Sequence, residues 1–451
     1  MTTSEDMNRA RARVICLTDG ETPAVEALRT RLLDDRYAAT FQSIQNDIAA
    51  ATNEADALLI DARDPGMFSY AAKQAKRWSE TGDSDRPVAI LVDPLEEETS
   101  LKAFLPHAEL VFAPRGASAA GAARVRELLR LRNMAEETAA RLHSFASAGV
   151  VELPSPSFSE KTVNALAVGA PSRHFLAAEK ALAAKGFTFV AALTSATAFD
   201  YLEHGPFDVV IAFADTDPEE IAAIAAAMRR NARLHNTPVI AAVDPKSTSA
   251  EDLFSRGVSE IVAPARLPHV LAERVDAYAR THRLSDALRG FLSAPPPAEV
   301  REASGLFTSR FFGRHFPTVA ERAEANGRPL SVACFRLLEH AEIAAAHGPA
   351  AAERVVRQTA DLMRLLIRVE DTAVRLAEDT ILIVFPSTLR EDADVAARRI
   401  AGVVGHSRFI ARDDDGGVAM HVRHGVVEHV PGAAAEETLA QALAAMARRL
   451  M

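Results

Sequence analysis

Residues 55–66 read ADALLIDARDPG, and residues 207–218 read FDVVIAFADTDP. Each is a short continuous apolar run that breaks into an Asp-Pro turn. An unalternated Val/Ile/Leu run of this length fits a strand covered on both faces. Working outward, the pairing extends in both directions. ARVICLTD at 12–19 matches NALAVGAP at 164–171, and RPVAILVDP at 86–94 matches TPVIAAVDP at 237–245. AELVFAPRG at 108–116 then matches SEIVAPARL at 259–267. One order of strands and Ala-rich helices therefore occurs twice, over 12–132 and 162–292. Buried strands alternating with helices predict a parallel sheet, so each repeat is read as a five-stranded doubly wound α/β domain.

Two linkers divide the chain. A long helix at about 119–148 stops before the Pro/Ser-rich VVELPSPSFSE, and the second repeat ends in SAPPPAE, where Pro295, Pro296 and Pro297 cannot continue a helix. The domains are accordingly placed at 11–148, 162–293 and 300–451. The third has a different rhythm: a helix at 309–326, a strand at 330–338, a helical stretch at 341–367 and a β-hairpin over 372–386. A helix at 390–404, a hairpin around Asp413–Gly417 and a helix from 435 follow. Strands separated by helices and hairpins predict an α+β domain with a mixed sheet.

Composition sets outer bounds. The 451 residues are 48% hydrophobic and 25% charged, values of ordinary globular protein. A formal net charge of −10 argues against non-specific nucleic-acid or anionic-membrane binding, so an anionic ligand needs a local basic site. Cys16 and Cys334 sit in apolar runs and are read as core filler in a reducing cytoplasm. No signal peptide or membrane span is expected, and the chain is placed in the cytoplasm. His421 and His424 face opposite ways along a strand, so a metal shared with His429 is not expected.

The repeats resemble response-regulator receiver domains, which have the flavodoxin-like fold. That resemblance implies a phosphoacceptor Asp at the end of strand three, an acidic pair that holds Mg²⁺, and a Lys after strand five. In the first repeat the candidate phosphoacceptor is Asp61, and Asp19 with Asp61 are the candidate Mg²⁺ ligands. Thr18 stands at the second acidic position, Val92 at the hydroxyl position and Ala113 at the Lys position. In the second, Phe213 replaces the acceptor, Gly169 and Ala170 the acids, and Ala263 the Lys. The second repeat is therefore expected to serve structure or dimerisation.

Residues 300–451 resemble the diguanylate cyclase domain of the GGDEF family, a nucleotidyl-cyclase-like fold. ASGLFTSRFF at 303–312 resembles the family's opening motif and GRPLSVACF at 327–335 its first strand. The signature hairpin falls on Arg375–Pro386, where Ala377-Glu378-Asp379-Thr380-Ile381 replaces the pentapeptide. Ala and Glu add bulk where glycines let backbone approach a triphosphate, and Glu378 adds negative charge beside phosphate. A metal-binding Asp is replaced by Arg336, a guanine-reading Asn by Ala344 and a phosphate-clamping position by Ala440. Glu353 stands where the family has a guanine-reading Asp. Catalysis is expected to be lost.

The family's product site reads Arg-x-x-Asp nine residues before the pentapeptide, and here it is Arg368-Val369-Glu370-Asp371. Its supporting Arg aligns with Arg399. A guanidinium forks onto guanine O6/N7 or a phosphate, and a carboxylate accepts guanine N–H groups, which suits the dianion cyclic di-GMP. Two receivers ahead of a degenerate GGDEF domain resemble a class of alphaproteobacterial cyclic di-GMP effectors. That resemblance implies a non-catalytic, homodimeric receptor at the cell pole. It also implies recruitment of an adaptor (RcdA) and of the regulator CtrA for degradation by the ClpXP protease in cell-cycle control. Two other classes stay open: a phosphorylation-driven response-regulator scaffold without nucleotide, and a weak residual diguanylate cyclase.

Overall fold

The computed structural model describes residues 10–20, 22–46, 55–80, 86–92, 109–112, 118–158, 161–213, 218–244, 249–412 and 417–448. Ala113 and residues 413–416, which carry the expected Lys position and a hairpin turn, lie outside them.

The first repeat is built from β1 (Ala12–Thr18), α1 (Pro23–Asp34), β2 (Tyr37–Ser43), β3 (Ala57–Asp61), α2 (Phe68–Glu80), β4 (Val88–Val92) and β5 (Glu109–Phe112). These lead into α3 (Ser118–Ala148). The sheet order is β2-β1-β3-β4-β5, parallel at β1–β3, β3–β4 and β4–β5. The second repeat runs β6 (Asn164–Val168), α4 (Arg173–Ala184), β7 (Thr188–Ala192), α5 (Ser195–His204), β8 (Val209–Phe213), α6 (Pro218–Arg230), β9 (Val239–Ala242), α7 (Ala250–Ser255) and β10 (Glu260–Val262). It ends in α8 (Leu267–Ser293), and its sheet order is β10-β9-β8-β6-β7. Both are the 2-1-3-4-5 doubly wound order, whose strand C-termini form the usual ligand edge. Inner strands β4, β8 and β9 are buried at every position, whereas edge strands β2 and β7 are half-exposed.

The third fold contains β11 (Phe307–Thr308), α9 (Ser309–Ala325), β12 (Leu330–Leu337), α10 (His340–His347), α11 (Pro349–Leu366), β13 (Thr372–Ala377) and β14 (Thr380–Pro386). After these come α12 (Arg390–Gly405), β15 (Arg408–Phe409), β16 (Val418–Ala419), β17 (Val422–Glu428) and α13 (Ala435–Arg448). Its mixed sheet is ordered β11-β13-β14-β12-β17. Side chains alternate across a strand. Thus Val332 and Cys334 face one core while Ala333, Phe335 and Leu337 face the other. Burial pushes the Cys334 thiol up to about 12, so it stays an inert filler. The single helical stretch expected at 341–367 is two helices, because Gly348 turns the chain at φ +86° ahead of Pro349.

Two compact units result. One comprises Arg13–Arg132 with Phe158–Ala287 and holds both repeats. Within it Glu251 accepts hydrogen bonds from the Ser118 hydroxyl and the Ala119 amide at the start of α3, and pairs with Arg31 at 2.5 Å. A carboxylate there offsets the positive end of the helix. The other unit comprises Asn133–Ser157 with Leu288 onward. The boundaries at 148 and 293 follow element ends, but the compact units cut both long helices. The reason is apolar: Ala140 and Phe145 of α3 belong to one core with Phe307 and Phe311, the Phe145–Phe311 ring centroids being 5.6 Å apart.

α13 closes that unit by lying on β17. A Cβ at Gly425 would stand 2.1 Å from the Met446 amide nitrogen and 2.5 Å from the Ala445 carbonyl carbon, both backbone atoms that cannot rotate away. Gly425→Ala is expected to destabilise this unit by roughly 1–3 kcal/mol, as overpacking does. A thermal melt of the variant that overlays the wild-type curve would contradict this packing.

Candidate functional site

Asp61 ends β3 at the sheet's C-terminal edge, where doubly wound folds place ligands. Its carboxylate is not open. Arg63 forks onto it, Nε to Oδ1 at 2.8 Å and Nη2 to Oδ2 at 2.6 Å, and both side chains are largely buried. A guanidinium thus stands where the sequence placed Mg²⁺. Among the described residues no group of three His, Cys, Asp or Glu side chains converges as metal ligands. In the second repeat a Cβ at Gly169 would lie 2.8 Å from Phe213 Cβ, so these two positions pack directly against each other.

The β13–β14 hairpin carries the replaced pentapeptide, with Glu378 and Asp379 forming the turn between Ala377 and Thr380. Arg336 on β12 pairs with Thr380 in register, and its Nε donates to Asp379 Oδ2 at 3.0 Å. The other oxygen of Asp379 accepts the Thr380 hydroxyl at 2.8 Å. Arg375 donates to Glu353 at 2.6 Å and to the Glu378 carbonyl at 3.0 Å. Asp379 and Glu353 are therefore each bound by an arginine. Of the late histidines, His421 meets Glu339 at 2.7 Å while His429 bonds Thr438 at 2.8 Å and Glu324 at 3.1 Å. They share no site.

Arg368–Asp371 forms the turn between α11 and β13. The Arg368 amide donates to Asp371 Oδ2 at 2.8 Å, and the Asp371 amide donates back to the Arg368 carbonyl at 3.1 Å. Asp371 is 6% exposed and its Oδ1 has no hydrogen-bond partner. Burial, with Glu370 alongside, pushes its carboxyl up to about 8 against the pull of Arg368. Asp371 is thus buried, while the Arg368 side chain is exposed. Arg368 reaches Thr388 at 3.4 Å, and Arg368 and Asp371 line a cleft of about 490 Å³ together with Asp361, Arg364 and Arg141. Arg399 is not part of that lining. Its Nη2 donates to the Leu366 carbonyl at 2.7 Å, which fixes the end of α11 two residues before Arg368.

Arg63 and Arg141 were not singled out by motif reasoning. A cation two residues past a strand-end Asp, and a Glu137/Arg141 pair at helical i,i+4 spacing inside an apolar stripe, were the available signals.

The mixed sheet with its tight hairpin coincides with a sequence profile. Residues 301–449 match the family described as Diguanylate cyclase, GGDEF domain. This part of the chain is a GGDEF domain. The Response regulator PleD of Caulobacter vibrioides (strain NA1000 / CB15N) is 27% identical over 207 residues, 46% of this chain and 46% of that protein. PleD of a second strain, ATCC 19089 / CIP 103742 / CB 15, matches to the same extent. The matched stretch thus spans about half the length of these curated relatives. Among solved structures, the FimX GGDEF domain from Pseudomonas aeruginosa is 19% identical with a TM-score of 0.31, covering 33% of this chain and 92% of that one. The GGDEF domain of DgcB from Caulobacter crescentus, determined in complex with c-di-GMP, is 17% identical with a TM-score of 0.32, covering 33% and 86%. No helix among the described residues is long and apolar enough to cross a membrane.

Proposed function

We propose that this chain is a non-catalytic cyclic di-GMP receptor of the PopA-like kind, with two receiver domains ahead of a degenerate GGDEF domain. The supporting observation is an asymmetry within the GGDEF domain. Asp379 and Glu353 are each held by an arginine, while Arg368 and Asp371 open onto a cleft. Metal-assisted phosphoryl transfer needs a carboxylate free to hold metal, and Asp379 is paired with Arg336, while Glu353 at the guanine-reading position is paired with Arg375. In the cleft, the Arg368 guanidinium supplies a fork for guanine O6/N7 or a phosphate, and Asp371 supplies an acceptor for guanine N–H groups. Arg399 steadies the turn from the side of α11.

In this reading the bound nucleotide switches recruitment of partner proteins by a homodimer at the cell pole. The partners proposed by resemblance are RcdA and CtrA, with ClpXP degrading the recruited regulator. Asp61, forked by Arg63, supports a receiver fold kept without an open phosphoacceptor site. Calorimetry of the full chain with cyclic di-GMP tests the receptor, and incubation with GTP and Mg²⁺ tests the loss of catalysis. Saturable binding without product formation is expected. Product formation that Asp379→Ala abolishes would replace the receptor reading with an enzyme.

A further inference from the structure

Arg141 of α3 is 4% exposed, yet every nitrogen of its guanidinium has a partner. Nε donates to Glu137 Oε1 at 2.7 Å, and Nη1 to the Leu292 carbonyl at 2.8 Å. Nη2 reaches the carbonyls of Val369 at 3.3 Å and Asp371 at 3.1 Å, and the Thr372 hydroxyl at 3.1 Å. Two of these acceptors are backbone atoms of the Arg368–Asp371 turn itself. The hydrogen bonds between Arg368 and Asp371 close the turn on itself. Glu137 in turn fixes Arg141. Burial pushes the Glu137 carboxyl up, but His315, with Nε2 at 3.2 Å, and Arg141 outweigh it and hold the carboxyl down at about 2. Glu137 also accepts the Thr372 hydroxyl at 2.8 Å.

We propose that Arg141 is a positioning residue for the nucleotide site: from α3 it pins the carbonyls of the Arg368–Asp371 turn, so that Arg368 and Asp371 face the cleft. The inference rests on reading that cleft as the cyclic di-GMP site. It adds a residue from the helix that begins beside the first repeat and ends in the GGDEF-domain unit. A lysine cannot replace it, because an ammonium has no planar fork to span Val369, Asp371 and Leu292 at once.

Arg141→Lys in the full chain keeps the charge and removes the fork. Its cyclic di-GMP affinity is expected to fall about tenfold or more. Amide hydrogen exchange at 368–372 should accelerate without ligand, while the core around Phe145, Phe307 and Phe311 keeps its protection. Should the lysine variant not fold, the double variant Glu137→Gln/Arg141→Gln is expected to show the same two changes. Wild-type affinity in whichever variant folds would overturn the proposal. So would lost affinity with unchanged exchange at 368–372, which would make Arg141 a direct contact. So would faster exchange throughout the core with unchanged affinity per folded molecule, which would make its role purely structural. If wild-type protein binds no cyclic di-GMP, the receptor reading fails instead, and exchange in unliganded Arg141→Lys still shows whether the turn is held from α3.

Discussion

Arg368→Ala is expected to weaken cyclic di-GMP binding by roughly 10- to 150-fold, the equivalent of losing one charge-assisted interaction of about 1.5–3 kcal/mol. The fold should survive. Arg368 is exposed, and its side chain makes a 3.4 Å bond to Thr388, whose hydroxyl keeps its own 2.8 Å bond to the Pro386 carbonyl. Truncation therefore empties part of the cleft without opening either apolar core. Titration calorimetry on wild type and variant, with circular dichroism as the fold control, measures the difference. Equal affinity would show that the ligand sits elsewhere. Loss of binding with partner recruitment intact in cells would keep the site and remove the switch.

Asp371 should make both stability and ligand affinity depend on pH near neutrality. In the folded chain its carboxyl titrates near 8, whereas an unfolded aspartate ionises near ~3.9. Between those values the folded state holds a proton that the unfolded state lacks, so raising the pH favours unfolding. The slope approaches roughly 1.4 kcal/mol per pH unit at its steepest. Glu137, held down at about 2, acts with the opposite sign and in another window: its contribution is lost as pH falls from about 4.5 towards 2. Denaturant melts at pH 6, 7 and 8 should therefore show wild type weakening and Asp371→Asn staying level by comparison. An ionised carboxylate accepts a guanine N–H more strongly than a neutral carboxyl does, so cyclic di-GMP should bind more tightly as pH rises through 8 and should release a proton when it binds below 8. Parallel slopes for wild type and Asp371→Asn would remove Asp371 as the source.

The strand order of both repeats and the alternation of the third sheet were legible because backbone geometry is local. A run such as VVIAF at 209–213 can be satisfied only between two covering layers, and LSVACFRL at 330–337 distributes its side chains by parity whatever surrounds it. The sequence also displayed Ala377–Ile381 at the pentapeptide position and the Arg-x-x-Asp spacing, since both are fixed offsets along one chain. It could not show that the ends of both long helices join the GGDEF-domain unit, because Phe145 meets Phe307 and Phe311 only once distant segments pack. Nor could it show what the charges do. Family resemblance makes Arg336 an inverted ligand and Asp61 a candidate phosphoacceptor. Tertiary structure makes Arg336 the partner of Asp379, Arg63 the lid on Asp61 and Arg141 the anchor of the Arg368 turn. The physical reason is that secondary structure follows from short-range sterics and periodicity, whereas a buried charge takes its state from whichever group lies within a few ångströms, often hundreds of residues away.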